Sequence, residues 1–408
     1  MSYICRELER KFLKLNDFFK VVLVTGARQV GKTTMLKHLA EGTDRTYISL
    51  DDSMVRELAK RDPVLFFQTY KPPILIDEVQ KAPELFEQIK VIVDNSEDPG
   101  LIWLTGSQQY KMMEKVRETL AGRIGILTLY SLSQREKNGL LFEDDLDFSY
   151  EVLRERQKKV PKNDVVKVYH HIWEGGMPKT IGIDSELRQE YFNSYIDTYL
   201  MRDVAEAGDI TDTVRFRKFL SGCAALVAEQ VNYVTLAESA DISSPTAKEW
   251  LRVLQGLHIV YLLEPYSNNE LKRLSKTPKL YFADTGLCAY LSMWLTPETL
   301  MNGAASGHYY ENYVVMELVK NYAYSRSKAN ITYYRDSNAK EIDVLVEENN
   351  VIHPLEIKKS ASPDSRESKK YSLIDKASLT RGNGGIICMC EEPIPIDSEN
   401  CFIPSNLI

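Results

Sequence analysis

Cysteine is scarce and irregularly spaced in this sequence of 408 residues. The six cysteines stand at positions 5, 223, 288, 388, 390 and 401, and none forms a pair with the CxxC spacing of zinc ligands. A zinc site is therefore not expected. Reduced, buried thiols are the simplest interpretation, and Cys388 and Cys390 face the same side of an apolar, strand-like segment.

Long uncharged apolar segments are also missing from the sequence. The first residues include Arg6 and Glu7 and lack the apolar stretch of a signal peptide. We therefore expect a cytoplasmic protein without a membrane partner.

Positive charge is not in excess, because 51 lysines and arginines face 58 aspartates and glutamates, a net charge of −7. Such a balance argues against constitutively tight, non-specific DNA binding, although local basic patches are compatible with it. Hydrophobic residues make up 44% and charged residues 27%, as in soluble globular proteins. The length predicts two to four domains.

A phosphate-binding loop stands between an apolar strand, residues 21–25, and a helix-like segment. Glycines allow backbone amides to turn toward phosphates, a lysine reaches the β- and γ-phosphates, and a hydroxyl binds Mg²⁺. The loop and the residue after it are the predicted nucleotide-binding residues: Gly26, Ala27, Arg28, Gln29, Val30, Gly31, Lys32, Thr33 and Thr34.

Two carboxylates follow a second buried strand, residues 74–76. In P-loop enzymes an acid at this position holds Mg²⁺ and the next acid activates the attacking water. We predict that Asp77 and Thr33 bind Mg²⁺ and that Glu78 is the catalytic base. Thr105 and Ser107, after a further strand, compete for a contact with the γ-phosphate. Five strands separated by helices predict an α/β fold with a parallel sheet.

The segments 26–33, 75–80, 104–107 and 120–123 resemble the AAA+ ATPase domain of a prokaryotic predicted-ATPase family, similar to archaeal-type and STAND ATPases. The resemblance implies ATP as the nucleotide and the strand order 5-1-4-3-2. It also implies that an arginine stabilises the γ-phosphate, in cis or from another copy of the chain. Arg123 is our first candidate, and Arg28 and Arg117 are alternatives.

The middle of the chain carries two weaker patterns. Gly175-Gly176-Met177-Pro178 resembles an element in which the proline packs on adenine, so Pro178 is a predicted adenine contact. Residues 213–300 resemble a winged helix, with Ser244 as the cap of one helix and Lys272, Arg273 and Lys276 in the wing. Such a module either reads DNA or serves as a structural lid.

Glu356 and Lys358 alternate onto one face of a strand near the C-terminus, and Asp343 converges on them across a hairpin. Such a group can bind Mg²⁺ and position a water for phosphodiester attack. The pattern resembles the PD-(D/E)XK restriction-endonuclease-like fold, with Glu311 matching the acid of its first helix. Ile342 replaces the motif's proline. A second Mg²⁺ at Glu311, Asp343 and Glu356 is implied by this resemblance.

These patterns predict four regions: an AAA+ core at 1–135, a helical lid or linker at 136–212, a winged-helix-like region at 213–300 and a nuclease-like α/β domain at 301–408. We expect a DNA-associated ATPase whose nucleotide state controls a Mg²⁺-dependent nuclease-like domain. Two alternatives are a STAND-type switch that binds DNA or protein without cutting, and a transcriptional regulator. An arginine acting in trans would require a homo-oligomer.

Overall fold

The computed structural model describes residues 3–106, 110–142, 145–208, 210–266, 277–336, 339–376 and 380–408. Its N-terminal region alternates helices and strands. They are α1 (Leu8–Asn16), β1 (Val21–Thr25), α2 (Lys32–Ala40), β2 (Thr46–Ser49), α3 (Ser53–Arg61), α4 (Pro63–Thr69), β3 (Ile74–Asp77), α5 (Leu85–Asp94), β4 (Ile102–Thr105), α6 (Tyr110–Leu120) and β5 (Ile124–Thr128).

The five N-terminal strands form one parallel sheet in the order β2-β3-β4-β1-β5, so the expected order 5-1-4-3-2 is confirmed. Every residue of β1 is buried. Alternate β1 residues enter two different cores: Val22 and Val24 face one side of the sheet, and Val21 and Leu23 face the other. Helices cover both faces, which explains why these strands are continuous apolar runs.

Helices dominate the middle region. They are α7 (Gln134–Lys137), α8 (Tyr150–Gln157), α9 (Val165–Glu174), α10 (Ser185–Ser194), a π-helical turn (Tyr195–Leu200), α11 (Met201–Gly208), α12 (Thr213–Ala225), α13 (Tyr233–Ala240) and α14 (Ser244–Gly256). An antiparallel pair follows, β6 (Val260–Leu263) and β7 (Lys279–Phe282). The cap of α14 is Ser243 rather than the expected Ser244, because the Ser243 side chain accepts a hydrogen bond from the Thr246 amide.

The C-terminal region is built around one long helix. Its elements are α15 (Thr285–Leu291), α16 (Pro297–Asn302), α17 (Ser306–Tyr324), β8 (Asn330–Arg335), β9 (Glu341–Glu348), β10 (Val351–Lys358), a 3₁₀ segment (Ser365–Lys376), β11 (Thr380–Arg381), β12 (Gly384–Cys388), β13 (Ile394–Pro395) and β14 (Asn400–Pro404). Strands β8, β9 and β10 are antiparallel, whereas β12 is parallel to β10. Fifteen of the nineteen α17 residues are buried.

Contacts between regions are extensive. The β6–β7 pair continues into the C-terminal sheet, because the Tyr266 amide donates to the Tyr333 carbonyl at 2.6 Å and the Tyr333 amide donates to the Glu264 carbonyl at 3.1 Å. One core extends from α1 through the middle helices to β14. Within the described parts of the chain, no helix combines the length and apolar composition that crossing a bilayer requires.

Candidate functional site

The phosphate-binding loop lies at the carboxyl edge of the parallel sheet, between β1 and α2. Gly26 has a φ of +140°, and a Cβ there would lie 2.1 Å from the Leu129 carbonyl oxygen. Lys32 is buried, and its Nζ donates to the Gly26 and Ala27 carbonyls at 3.0 and 2.8 Å. Burial lowers the pKa of Lys32 to about 8. The loop therefore presents a buried lysine from a tightly packed turn.

Asp77 ends β3 beside this loop and gathers three hydroxyl groups. Thr33 Oγ1 donates to Asp77 Oδ1 at 2.7 Å, Tyr47 donates to Oδ2 at 3.1 Å, and Thr105 Oγ1 also donates to Oδ1. The adjacent oxygens of Thr33 and Asp77 are ligands that suit Mg²⁺. Two residues are predicted to compete for the γ-phosphate. Thr105 donates its hydroxyl to Asp77, whereas Ser107 is outside the described residues.

Glu78 lies next to the loop in a left-handed backbone conformation, with a φ of +59°. Its amide donates to Thr105 Oγ1 at 3.2 Å, and its carboxylate accepts a hydrogen bond from Gln80. Arg28 Nη1 lies 3.8 Å from Glu78 Oε1. The structure thus brings the predicted base, the predicted Mg²⁺ ligands and the lysine together.

Residues distant in sequence contact the phosphate-binding loop or Thr25, which directly precedes it. Arg6 Nη1 donates to the Val30 carbonyl at 2.8 Å, and Arg28 pairs with Asp203 of α11 at 2.5 Å. His258 Nε2 lies 3.3 Å from Thr25 Oγ1, and burial, with a smaller effect of the Lys32 charge, lowers the pKa of His258 to about 4. No short motif marks these residues, because their contacts join distant parts of the sequence.

Pro178, the predicted adenine contact, also lies at the loop. A Cβ built on Gly31 would lie 3.9 Å from Pro178 Cγ. The Gly176 amide donates to Asp284 Oδ2 at 2.8 Å, which ties this turn to the start of α15. The remaining loop residue Gln29 accepts a hydrogen bond from Tyr191 of α10 at 2.9 Å, whereas Thr34 is exposed on α2.

Arg123 lies elsewhere. It directly precedes β5 and is therefore at the amino edge of the sheet, opposite the phosphate-binding loop. Its Nε pairs with Asp94 Oδ1 at 2.5 Å. The structure does not bring Arg123 to the nucleotide site of its own chain. Contact of Arg123 with the γ-phosphate of another copy of the chain stays a prediction. Of the alternatives, Arg28 is at the site.

The C-terminal carboxylates converge on a second site, which we call the carboxylate cluster. It contains Glu311, Glu341, Asp343, Glu356 and Glu367. Asp343 Oδ2 accepts the Ile357 amide at 2.9 Å across the β9–β10 hairpin. Lys358 and Lys370 both lie 2.6 Å from Glu356 Oε1.

Glu356 is 1% exposed, and its second oxygen, Oε2, has no hydrogen-bond partner among the described residues. Burial, reinforced by the Asp343 charge, raises the pKa of Glu356 to about 8. The same two causes raise the pKa of Glu311. Carboxylate oxygens are the ligand type that hard divalent cations take, although Glu311, Asp343 and Glu356 do not bring three ligand atoms within 4.8 Å of one another in this structure. The predicted Asp343, Glu356 and Lys358 are thus close together, and Asp343 is near enough to perturb Glu311.

The proposed wing residues Lys272, Arg273 and Lys276 lie outside the described residues. On α14, Arg252 Nη1 lies 3.3 Å from Glu249 Oε2, and both side chains are exposed. Among the described residues, the metal-type ligands whose atoms do lie within 4.8 Å of one another are His170, His171 and Glu174 on α9. There Glu174 already pairs with Lys137 at 2.7 Å.

Three family models match separate parts of the chain. Residues 18–138 match a family described as AAA domain. Residues 166–298 match Domain of unknown function (DUF8612), and residues 306–408 match Domain of unknown function (DUF4143). The N-terminal region has the fold of an AAA+ P-loop ATPase. This finding supports ATP binding and ATPase activity in general.

Similar proteins include an uncharacterized protein of Mycobacterium tuberculosis, 26% identical over 390 residues that cover 95% of this chain and 80% of the relative. Among solved structures, a Walker-type ATPase of Pyrococcus abyssi is 15% identical, covers 71% of this chain and 96% of its own, and has a TM-score of 0.40. The RuvB Holliday junction branch migration motor of Thermotoga maritima is 19% identical, covers 67% of this chain and 95% of its own, and has a TM-score of 0.30.

Proposed function

We propose that this protein is a Mg²⁺-dependent ATPase whose nucleotide state controls the C-terminal domain. The observation that carries the ATPase proposal is the convergence of Lys32, Thr33, Asp77 and Glu78 at one sheet edge. Lys32 would exchange its bonds to the Gly26 and Ala27 carbonyls for the β- and γ-phosphates, and Glu78 would accept a proton from the attacking water. Thr33 and Asp77 would hold Mg²⁺, which would neutralise charge on the phosphates.

Steady-state ATP hydrolysis by purified full-length protein tests this proposal. We expect Lys32→Ala to abolish binding and turnover, whereas Glu78→Gln should bind ATP and turn it over at least about a hundredfold more slowly. Lys60→Ala, on the exposed surface of α3, is the control for loss of a positive charge. Turnover that persists at the wild-type rate in Lys32→Ala would contradict the proposal.

The C-terminal domain is proposed to act on the phosphodiester backbone of DNA. Support comes from the closeness of Asp343, Glu356 and Lys358 and from the unpartnered Glu356 Oε2. Asp343, Glu356 and Glu311 would hold a divalent ion, which would lower the pKa of a bound water. Lys358 would stabilise the phosphate charge.

A cleavage assay on duplex DNA with Mg²⁺ or Mn²⁺ separates this proposal from the non-cutting switch. Cleavage by the wild type that is lost in Asp343→Ala and Lys358→Ala, but kept in Glu347→Ala, would support the nuclease. Glu347 lies on the same strand as Asp343 and outside the cluster. Cleavage that persists in Asp343→Ala would exclude the proposed site.

The switch alternative, in which the C-terminal domain binds DNA or protein without cutting, needs a contact through which the nucleotide changes the protein, and Arg28 offers one. Arg28 of the phosphate-binding loop contacts Glu78 and Asp203 at once, so the loop is joined to α11. A nucleotide phosphate that attracts Arg28 would weaken the bond to Asp203. If ATP binding to Glu78→Gln protein leaves DNA affinity unchanged and no DNA is cut, both the switch acting on DNA and the nuclease would be wrong.

A further inference from the structure

Lys279 lies in the carboxylate cluster although it belongs to β7 of the middle region. Its Nζ is 2.9 Å from Glu311 Oε1 and 2.6 Å from Glu341 Oε1. The side chain is only 6% exposed. Tyr281 follows two residues later, on the same strand face, and donates to Glu311 Oε1 at 2.7 Å. The middle region therefore supplies two groups that contact the C-terminal carboxylates.

The position of Lys279 is fixed by the C-terminal sheet itself. Tyr333 of β8 donates its hydroxyl to the Thr277 carbonyl at 2.6 Å, two residues before Lys279. Tyr333 also forms backbone hydrogen bonds with residues 264 and 266, which lie just after β6. Strand β8 is therefore bonded to both sides of the β6–β7 pair. Because of these bonds, Lys279 is a built part of the cluster and not a freely moving surface charge.

Acidic and basic side chains are interleaved in this cluster. The acids Glu311, Glu341, Asp343, Glu356 and Glu367 face the cations Lys279, Lys358, Lys370 and Arg335. Glu356 Oε1 receives two lysines while the buried Oε2 has no partner. Oε2 of Glu356 is therefore a buried carboxylate oxygen that no described residue contacts by a hydrogen bond.

We propose that Lys279 is an internal counter-ion that competes with a divalent metal ion for Glu311, so that the middle region limits metal loading of the C-terminal domain. This inference rests on the metal site proposed above. An ammonium cannot ligate a metal, and its charge repels an arriving cation strongly in a poorly hydrated site. Displacement of the hairpin that carries Lys279 would free Glu311 as a ligand.

Mn²⁺ binding to the full-length protein, measured by titration calorimetry without nucleotide, tests the inference. Lys279→Met keeps the apolar stem and removes the charge. We expect it to bind Mn²⁺ at least about tenfold more tightly than the wild type, because a unit charge within a few ångströms is removed. Lys279→Gln keeps a hydrogen-bond donor for Glu311 and should behave in the same way, whereas Lys279→Arg should match the wild type.

Lys320→Met is the matched control. Lys320 is also 6% exposed and pairs with a glutamate, Glu317 at 3.1 Å, but it lies on the opposite half of α17 from Glu311. Asp343→Asn should lose Mn²⁺ binding in either background. Equal Mn²⁺ affinity in Lys279→Met, Lys279→Gln and the wild type, with binding lost in Asp343→Asn, would overturn the inference and leave the metal site standing. No Mn²⁺ binding by any variant would overturn both.

Discussion

Gly26 shows at the scale of one residue how the phosphate-binding loop depends on packing. Its φ of +140° favours glycine, and a Cβ would meet the Leu129 carbonyl at 2.1 Å. Gly26→Ala should therefore lower the free energy of unfolding by about 2 kcal/mol or more and weaken ATP binding at least about tenfold. Urea unfolding and titration with a fluorescent ATP analogue measure the two effects.

Gly42→Ala separates backbone strain from steric overlap. Gly42 also has a positive φ, +77°, but nothing lies within 4 Å of a Cβ built there. A loss of about 1 kcal/mol with unchanged ATP affinity is expected for this control. If both variants lost the same free energy and bound ATP equally, the close approach to Leu129 would not matter.

His258 should make stability depend on pH. Its pKa falls from the ordinary value of 6.5 to about 4 in the folded protein, because burial disfavours the charged ring. The neutral ring contributes full stability above pH 6.5, and this contribution is lost as the pH falls toward 4. Between pH 7 and 4.5 the wild type should lose roughly 2 to 3 kcal/mol more than His258→Asn.

Asparagine suits this substitution because position 258 has a left-handed backbone, with a φ of +56°. Urea unfolding of the nucleotide-free protein at several pH values gives the difference. His38→Asn is a control, since His38 at the end of α2 is only half-buried. Parallel pH profiles for the wild type and His258→Asn would contradict the assignment.

At the scale of elements, Asp284 joins helix α15 to the turn at residues 175–178. Its Oδ1 accepts the Leu287 amide and caps α15, while its Oδ2 accepts the Gly176 amide of the turn that carries Pro178. Asp284 is 4% exposed. Asp284→Ala should cost about 3 kcal/mol, because it removes a cap and leaves a buried amide unpaired. ATP affinity should also fall if Pro178 contacts adenine.

Asp212→Ala provides the comparison. Asp212 caps α12 through the Arg215 amide at 3.0 Å, and that contact is exposed. Denaturant unfolding should show a loss of about 1 kcal/mol for this variant. Equal losses of unfolding free energy in the two variants would mean that the hydrogen bond to the Gly176 amide adds nothing to stability.

The elements around the candidate nucleotide site were predictable because the sequence patterns that indicate them are local. Apolar strands, a glycine-rich turn and paired acids occupy short segments, and the parallel arrangement brings their carboxyl ends to one edge. Arg6, Asp203 and His258 were not predictable, since they reach the loop from 24, 175 and 233 residues away. Lys279 was not predictable for the same reason, because it lies 32 residues before Glu311, within the region 213–300 that resembles a winged helix.

At the scale of the whole molecule, residues 130–137 connect the nucleotide site with α17. Arg6 donates to the carbonyls of Val30 and Tyr130, both at 2.8 Å. On the other side the Tyr130 amide donates to the Tyr324 hydroxyl at 2.9 Å, and the Gln134 amide donates to Glu317 at 2.9 Å. Since α17 also carries Glu311, hydrogen bonds through Arg6 and residues 130–137 link the phosphate-binding loop to the helix that contributes to the carboxylate cluster.

This connection predicts that nucleotide binding slows amide exchange beyond the nucleotide site. With a non-hydrolysable ATP analogue, hydrogen exchange should slow in residues 26–34, in 130–137 and along α17. Tyr324→Phe removes the hydroxyl that holds the Tyr130 amide, so the protection of α17 should shrink while that of residues 26–34 persists. Tyr290→Phe, in the half-buried tyrosine of α15, is the control. Protection confined to residues 26–34 in the wild type would show that α17 does not transmit nucleotide binding, and the two candidate sites would then act independently.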